Sequence, residues 1–355
     1  MTHHPPQQHR LVDVPGGRIH LVEQGTGPLV LLVHGFPESW YSWRHQLPVL
    51  AEAGFRAVAI DVRGYGRSSK PREVDAYRML AHVADNVGVV RALGAETATV
   101  VGHDWGSPIA ANSALLRPDV FTAVGLLSVP YAPRNGFRPT DAFARIEGAG
   151  GRGGPGEAGG SGEAGGEGAG EEFYVSYFQE EGRAEAEIEP DVRGWLAGFY
   201  AGLSADTSWQ KARSSLGAAE GRSLHFVTRG GRMSDRFPKG EALPPWLTEA
   251  DLDVYAAEFE RTGLAGALNR YRNVDRDWED LAAWDGMPIP QPSLFIGGDQ
   301  DASTTWMADA IKAYPQTLPG LVSSHILEGC GHWVQQERAY EVNRILVEWL
   351  RAVKG

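Results

Sequence analysis

Residues 97–107 read TATVVGHDWGS, and this stretch decides the fold. A short apolar run, typical of a buried strand, passes directly into a turn in which Gly102 and Gly106 flank Asp104. A helical pattern begins at Ser107, so the turn joins a strand to a helix. This is the arrangement of a nucleophile elbow, G-x-S-x-G, with aspartate in place of the serine. Taken alone, the elbow leaves a second interpretation equally open, in which Asp104 only caps the following helix.

Strand-like and helix-like stretches alternate on both sides of this turn. Strands are expected at residues 29–33, 55–60, 97–101, 124–127, 293–296 and 325–327. Helices are expected from a cap at Ser39 towards Ala53, over 77–93, from Ser107 onwards and over 338–353. Alternation at this spacing predicts the α/β class, with a doubly wound, mostly parallel sheet flanked by helices.

Residues 134–278 interrupt the alternation, because they are aromatic-rich and helical in pattern and lack clean strands. The simplest architecture is an α/β core of residues 1–133 and 279–355, with a helical cap, residues 134–278, inserted between its halves. Within the cap, residues 148–170 contain 13 glycines among 23 positions and no apolar residue larger than alanine. Such a segment cannot bury enough surface to balance its ordering entropy, so we expect a disordered loop.

Composition narrows the range of partners and locations. The chain has 355 residues, 42% of them hydrophobic, and a net charge of −12, which argues against nucleic acid or an anionic membrane as the main partner. No apolar run is long enough to predict a membrane span. The first residues lack the apolar core of a signal peptide, and the single cysteine, Cys330, fits a reducing compartment. We therefore expect a cytoplasmic monomer or homodimer.

A second motif, HGFP at residues 34–37, directly follows the first buried strand. In hydrolases with such an elbow, the loop at this place donates one backbone N–H to an oxyanion hole. The residue after the nucleophile donates the other. The two donors here would be the amides of Phe36 and Trp105. The simpler alternative is a turn in which glycine and proline only change the direction of the chain.

A third motif, GCGHW at residues 329–333, follows the last expected strand. The chain order nucleophile, acid, histidine makes His332 the candidate base. The acid should follow an earlier strand, where Asp301 is favoured by register and Asp299 is the alternative, with capping of the next helix as its other role. Cys330 is expected to be a buried, inert thiol, since no cysteine-protease pattern surrounds it. No spaced set of ligands predicts a metal, and no motif predicts a cofactor.

Together these motifs resemble the epoxide hydrolases of the α/β-hydrolase fold, especially bacterial members and the hydrolase domain of vertebrate soluble epoxide hydrolase. The resemblance covers nearly the whole chain except residues 148–170 and the first residues. Besides the three motifs above, DVRGYG at residues 61–66 resembles a conserved loop of that family. The family pattern implies a cis peptide bond between Phe36 and Pro37.

Two segments of the expected cap also resemble this family, namely YVSYFQE at 174–180 and LNRYRN at 268–273. By register they imply that Tyr174 and Tyr271 bind and protonate the epoxide oxygen. Tyr177 is the rival of Tyr174, because residues three apart share a helix face. The resemblance further implies substrate contacts from Pro37, Tyr177, Phe178 and Trp333.

One residue of the second segment departs from the family pattern. Arg270 stands where relatives carry tryptophan. We expect this change to leave Tyr271 in place and to alter the substrate channel.

The implied reaction is hydrolysis of a small-molecule epoxide to a vicinal diol, without metal or cofactor. Asp104 forms an alkyl ester, which is cleaved by water that His332 activates and Asp301 helps to orient. Two other functions remain open: a haloalkane or haloacid dehalogenase of the same fold, and a non-catalytic ligand-binding relative. The paired cap tyrosines favour the epoxide over the halide, and the complete triad favours an enzyme over a binding protein.

Overall fold

The computed structural model of the chain describes residues 6–134, 136–148, 170–205, 224–238 and 242–354. One eight-stranded sheet, ordered β1-β2-β4-β3-β5-β6-β9-β10, forms its centre, beside a separate two-stranded sheet of β7 and β8. The strands are β1 (Gln8–Val14), β2 (Gly17–Gln24), β3 (Leu29–Val33), β4 (Arg56–Ile60), β5 (Ala98–His103), β6 (Phe121–Leu127), β7 (Glu171–Phe173), β8 (Phe226–Thr228), β9 (Ser293–Gly298) and β10 (Leu321–Leu327).

The large sheet is antiparallel at one edge and parallel elsewhere. β1 and β2 form a hairpin, and β2 also runs antiparallel to β4. From β4 to β10 all neighbouring strands are parallel. The predicted α/β class is confirmed, whereas the β1–β2 hairpin was not among the predicted strands. Much of β1 is exposed at the sheet edge, so its sequence lacks the buried apolar run on which the strand predictions rested.

Helices pack on both faces of the sheet. The α-helices are α1 (Gln46–Glu52), α2 (Met79–Ala92), α3 (Gly106–Leu116), α4 (Pro139–Gly148), α5 (Tyr174–Tyr177), α6 (Arg183–Ile188), α7 (Val192–Leu203), α8 (Glu249–Thr262), α9 (Ala265–Leu268), α10 (Val274–Asp280), α11 (Ala302–Trp306), α12 (Ala308–Lys312), α13 (Tyr314–Thr317), α14 (Val334–Glu337) and α15 (Ala339–Val353). Short 3₁₀ helices occupy Trp40–Trp43, Val74–Tyr77, Glu189–Asp191, Met233–Arg236, Tyr271–Asn273 and Ala282–Trp284. In the parts of the chain that the structure describes, no helix is long and apolar enough to cross a membrane.

The expected first helix is divided into two pieces. Ser39 caps the 3₁₀ helix Trp40–Trp43 by accepting from the amide of Tyr41, and α1 begins only at Gln46. The sequence therefore located the cap correctly but not the break that follows it.

Two hydrophobic cores lie on opposite faces of the sheet. Alternate residues of β3 point to different cores, with Leu31 in one and Leu32 in the other. Helices α2 and α3 cover the first face, and α1 and α15 cover the second. Because both faces are covered, β3 is apolar at every position, which explains why its sequence reads as one continuous run.

The segment between β6 and β9 is mainly helical, but it also contains β7 and β8. These strands pair antiparallel, with Phe173 opposite Phe226. The sequence of residues 134–278, which lacks clean strand patterns, did not predict this pair, because a three-residue strand is too short to show an alternating pattern. The expected disordered loop at 148–170 lies, apart from its two end residues, outside the described residues.

The segment between β6 and β9 is bound to the core through the Tyr200 hydroxyl, which donates to the carbonyl of Pro37 at 2.6 Å.

Candidate active site

Four loops that carry the expected site residues follow parallel strands. Phe36 comes after β3, Asp104 after β5, Asp301 after β9 and His332 after β10. Because the carboxyl ends of parallel strands lie at one edge of the sheet, the topology brings these loops together there. The expected site residues therefore converge at the carboxyl edge of the sheet.

The turn around Asp104 is sharp enough to exclude side chains on both sides. The backbone of Asp104 is left-handed, with φ of 51°, a conformation that residues other than glycine rarely adopt. A Cβ on Gly102 would lie 1.9 Å from the carbonyl oxygen of Gly106, and a Cβ on Gly106 would lie 2.0 Å from that of Val33. Both glycines are thus required for β5 to pass into α3 in so few residues.

The carboxylate of Asp104 is held by two other loops. The amide of Phe36 donates to its Oδ1 at 2.7 Å, and Nε2 of His332 lies 3.4 Å from its Oδ2. The amide of Ser107 donates instead to the backbone oxygen of Asp104, at 2.9 Å. The side chain therefore faces the sheet edge and does not cap α3, which argues against the capping interpretation.

His332 lies between two carboxylates. Its Nδ1 is 3.1 Å from Oδ1 of Asp301, which also accepts from the amide of Ser303 at the start of α11. Asp299 instead accepts from the amide of Cys330 at 3.2 Å. Hence Asp301 both contacts the imidazole and caps the helix, whereas the capping role considered for Asp299 is wrong.

The two carboxylates change the charge state of His332. Burial lowers its pKa, but the charges and hydrogen bonds of Asp301 and Asp104 outweigh burial and raise that pKa well above the ordinary value. The two carboxylates therefore favour the charged imidazole in the free protein, compared with an unperturbed histidine of pKa near 6.5.

The rings of Tyr174 and Tyr271 pack edge-to-face near the site. Their ring centroids are 6.0 Å apart, and the ring of Trp105 is 5.2 Å from that of Tyr271. Burial, followed by the negative charge of Asp104, raises the pKa of both phenols. Both therefore keep their protons at neutral pH and can donate hydrogen bonds.

Tyr177 points to a different place. Its hydroxyl donates to the carboxylate of Glu187, which also accepts from the indole N–H of Trp195 at 3.1 Å and from the amides of Met233 and Ser234. Tyr177 is buried inside the segment between β6 and β9. The geometry thus supports Tyr174, and not its rival, as the partner of Tyr271.

The four expected substrate contacts are distributed unevenly. Phe178 packs between the ring of Phe36, at 5.6 Å, and that of Tyr271, at 4.9 Å. Trp333 lies against the imidazole of His332, with centroids 4.8 Å apart. The cis peptide bond implied between Phe36 and Pro37 is present. Substrate contact by Pro37, Tyr177, Phe178 and Trp333 remains a prediction.

A cavity of about 390 Å³ lies beside the carboxylate of Asp104, within the size range of small-molecule sites. Tyr174 and Trp105 line it next to Asp104. Apolar side chains make up most of the remaining wall, including Phe143, Phe173, Val274, Leu281 and Trp306. The cavity thus places the carboxylate of Asp104 and the phenol of Tyr174 beside an apolar compartment.

A buried network behind the site was not found from the sequence. The carboxylate of Glu38 accepts from the amide of Gly35 at 2.9 Å and from Nε2 of Gln335 at 3.1 Å, and it lies 2.7 Å from Nδ1 of His103. Nε2 of His103 in turn lies 2.8 Å from the carbonyl oxygen of His332. Glu38 therefore connects the loops that carry Phe36, Asp104 and His332. In the sequence, the one feature that could have pointed to Glu38 is its position directly after the HGFP motif, four residues after His34.

Within the described ranges, no cluster of three or more His, Cys, Asp or Glu side chains could hold a metal ion. A carboxylate on a strand–helix elbow, a histidine–aspartate pair and a backbone N–H donor are arranged as in the active sites of α/β hydrolases. A family model described as the alpha/beta hydrolase fold matches residues 28–146.

Relatives of known class match over nearly the full length. Epoxide hydrolase B of Mycobacterium tuberculosis is 42% identical, over 98% of this chain and 99% of its own. An epoxide hydrolase from an endophytic Streptomyces is 71% identical, with a TM-score of 0.87 over 98% of this chain and 96% of its own. Epoxide hydrolase A from Mycobacterium thermoresistibile is 40% identical, with a TM-score of 0.83 over 98% of both chains. The chain belongs to the epoxide hydrolase family of the α/β-hydrolase fold, as its motifs predicted.

Proposed function

We propose that this chain hydrolyses small-molecule epoxides to vicinal diols through an alkyl ester on Asp104. The observation that carries the proposal is the contact of the Asp104 carboxylate with the amide of Phe36 and the imidazole of His332, in a cavity that Tyr174 also lines. The ring of Tyr174 in turn packs against that of Tyr271. A carboxylate can attack saturated carbon without first losing a proton, and the phenols assist a leaving alkoxide that water alone would assist poorly.

In the first step, Oδ2 of Asp104 attacks one oxirane carbon, and the bond from that carbon to the epoxide oxygen breaks. Tyr174 or Tyr271 gives its proton to the oxygen as the ring opens, which leaves a hydroxyl on the neighbouring carbon. The imidazolium of His332 supplies the proton that restores the phenol. The products are a neutral ester on Asp104 and a neutral imidazole.

The ester changes the chemistry of His332. Its raised pKa depends partly on the charge of Asp104 and the hydrogen bond to it, and esterification removes that charge. The now neutral imidazole takes a proton from water, which attacks the ester carbon while the amides of Phe36 and Trp105 stabilise the oxyanion. When the intermediate collapses, the new carboxylic acid gives its proton to the departing alkoxide. Asp104 is again a carboxylate and His332 again an imidazolium.

The dehalogenase alternative is less well supported. A halide leaving group is stabilised by N–H donors and takes up no proton. The dehalogenase reaction would therefore leave the two buried phenols, Tyr174 and Tyr271, without a function. A purely ligand-binding function would leave unexplained why Asp104, His332 and Asp301 are in contact. We further propose that residues 134–278 form a cap over this site, and that the protein acts in the cytoplasm as a monomer or homodimer.

The test is intact-protein mass spectrometry of the His332→Gln variant incubated with styrene oxide. We expect a stable adduct of the mass of one epoxide, located on the peptide that contains Asp104. Diol formation should fall at least about 10³-fold, since the second step loses its base. The Asp104→Ala variant should form neither adduct nor diol.

Parallel incubation with chloroalkanes tests the dehalogenase reaction. A His332→Gln variant that loses turnover yet carries no adduct, while still binding the epoxide, would show that Asp104 is not a covalent nucleophile. An adduct formed from chloroalkanes but not from styrene oxide would assign the chain to the alternative reaction.

A further inference from the structure

A strained turn follows strand β6, which ends at Leu127. The amide of Val129 donates back to the carbonyl of Leu127 at 2.8 Å and closes a three-residue γ-turn around Ser128, whose φ is 67°. γ-turns with a positive φ at the central residue are rare and strained. Among the residues that the structure describes, Asp104 is the only other one besides glycines with a left-handed backbone. Such strain concentrates at functional sites, so the turn at Ser128 calls for a functional explanation.

The backbone of this turn is bound to two of the loops that form the site. Ser107, in the first turn of α3 after the elbow, donates from its hydroxyl to the carbonyl of Val129 at 2.6 Å. Thr304 lies in α11, the helix that Asp301 caps, and its hydroxyl donates to the carbonyl of Ser128 at 3.2 Å. The turn therefore connects the nucleophile elbow to the helix that follows the acid.

The side chain of Ser128 binds the third loop. Its hydroxyl donates to the carbonyl oxygen of His332 at 2.5 Å, and the serine is 0% exposed. The same carbonyl accepts from the amide of Val334 at 3.0 Å and lies 2.8 Å from Nε2 of His103. The amide of His332 donates to the carbonyl of Leu203 at 3.0 Å. The backbone of His332 is thus fixed at both of its peptide groups, and Ser128 makes the shortest of these contacts.

We propose that Ser128 is a positioning residue for ester hydrolysis, whose hydroxyl fixes the backbone of His332 and thereby the direction of its imidazole. The role rests on the proposed function. In that reaction Nδ1 stays on Asp301, at 3.1 Å, while Nε2 takes a proton from the water that attacks the ester of Asp104. A small displacement of the backbone moves Nε2 away from that water, and proton transfer is sensitive to such displacements.

The same role explains why a serine occupies a left-handed position. Glycine would adopt the backbone of this turn without strain, but it has no hydroxyl to donate to His332. Alanine would keep the strain and lose the donor. Ser128→Gly and Ser128→Ala therefore separate the hydroxyl from the backbone conformation.

The test compares two rates in single turnovers of styrene oxide with excess enzyme, followed by rapid quenching and intact mass. In Ser128→Ala we expect hydrolysis of the Asp104 ester to slow about tenfold, the effect of one lost hydrogen bond. Formation of the ester should stay within about twofold, because the carboxylate attacks without giving up a proton. The ester should therefore accumulate in this variant.

Ser128→Gly provides the second measurement. It should slow ester hydrolysis by a similar factor, yet melt at a higher temperature than Ser128→Ala, because glycine relieves the turn. It also keeps the rates measurable if Ser128→Ala does not fold. Ester hydrolysis at the wild-type rate in Ser128→Gly, or equal slowing of both steps in either variant, would overturn the proposal.

A matched serine controls for the loss of a buried hydroxyl. Ser293 is also 0% exposed, and its hydroxyl donates to the carbonyl of Gln291 at 2.7 Å, at the start of β9 and thus at the opposite end from the loop of Asp301. Ser293→Ala should lower the melting temperature comparably and change neither rate. If Ser293→Ala also slowed ester hydrolysis alone, the role assigned to Ser128 would be wrong.

A second readout needs no substrate. Burial lowers the pKa of His332, but Asp301 and Asp104 raise it well above its ordinary value, so a less firmly held imidazole should titrate at lower pH. NMR titration should give a lower midpoint in Ser128→Ala than in wild type or Ser293→Ala, and an unchanged midpoint would contradict the positioning of His332. Wild-type protein that forms no ester would instead contradict the proposed function, while a lowered midpoint would still support the contact of Ser128 with His332 as the one that holds the imidazole.

Discussion

At the scale of single residues, Asp104 shows how much of the site a short motif encodes. Two glycines at fixed spacing after an apolar run predicted the elbow, and the steric limits on Gly102 and Gly106 explain why. A left-handed backbone at a residue other than glycine costs on the order of 1 kcal/mol or more, which the surrounding packing must supply. The HGFP motif also predicted the amide of Phe36 as a donor at this site, and that amide donates to Oδ1 of Asp104.

His332 gives a prediction about charge. Its pKa is raised by Asp301 and Asp104, so replacing Asp104 with the neutral, isosteric asparagine should lower that pKa. Titration of the imidazole nitrogens by NMR should place its midpoint at a lower pH in Asp104→Asn than in the wild type. The variant reproduces the neutral charge of the ester, so the shift measures how alkylation turns His332 into a base.

The raised pKa of His332 also makes the stability of the fold depend on pH. A histidine whose pKa is raised on folding stabilises the native state below its unfolded pKa, and this contribution is lost as pH rises through the folded pKa.

Identical titration midpoints in wild type and Asp104→Asn would show that Asp104 does not control the charge of His332. Asp301→Asn, which removes the other charged partner, serves as the positive control for the measurement.

At the scale of secondary structure elements, the short helix α5 places two tyrosines in different environments. Sequence spacing could not separate Tyr174 from Tyr177, because both lie on one turn and resemble the same motif. The hydroxyl of Tyr177 is bound to Glu187, whereas Tyr174 lines the cavity with Asp104. The difference depends on where α6 carries Glu187, which a local pattern does not contain.

We therefore expect opposite effects from removing the two hydroxyls. Tyr177→Phe should destabilise the fold by about 1 kcal/mol, because it leaves the partly buried carboxylate of Glu187 with one donor fewer, and the alkylation rate should hardly change. Tyr174→Phe should slow alkylation about 10²-fold with little loss of stability. Chemical denaturation and single-turnover rates measure the two quantities separately. If Tyr177→Phe slowed alkylation and Tyr174→Phe left the alkylation rate unchanged, Tyr177 and not Tyr174 would be the phenol that acts in ring opening.

The predicted elements were most accurate where a strand is buried on both faces. The bounds of β3 were predicted exactly as the structure has them, since burial on both faces leaves no polar position. β10 was predicted only over its last three residues, because its residues alternate between partly buried and exposed. Serines at 323 and 324 interrupt the apolar pattern there, although main-chain pairing with β9 continues through them.

At the scale of the whole molecule, Glu38 joins segments that are far apart in sequence. Burial raises the pKa of Glu38, but the charge and hydrogen bond of His103, followed by His34 and Ser42, lower it from the ordinary 4.5 to about 2. Several donors on three loops thus depend on one negative charge. No local pattern predicts such a group, since its partners are 65 and 297 residues away in the chain.

The Glu38→Gln variant should be less stable than wild type by on the order of 3 kcal/mol at neutral pH, from the depressed pKa. Because this pKa is lowered on folding, the contribution is complete above about 4.5 and is lost as pH falls towards about 2. Urea denaturation at pH 7 and at pH below 4.5 should show the difference between the variants narrowing.

A surface substitution provides the control for this comparison. Glu348 is paired with Arg344 on the exposed face of α15, and Glu348→Gln should change stability by less than about 0.5 kcal/mol at either pH. A difference for Glu38→Gln that stays constant as the pH is lowered would show that the lost charge is not the cause.

The two oxygens of Asp104 are not equivalent, because Phe36 holds Oδ1 while Oδ2 faces His332. In the proposed reaction the diol leaves with the oxygen that attacked, and an oxygen from water takes its place on the carboxylate. The isotope that a diol carries therefore reports the solvent of the preceding cycle, not of its own. The oxygen that water supplies in one turnover therefore stays on the carboxylate of Asp104 until the next turnover. Only rotation of the carboxylate between cycles would exchange the two oxygens and break this order.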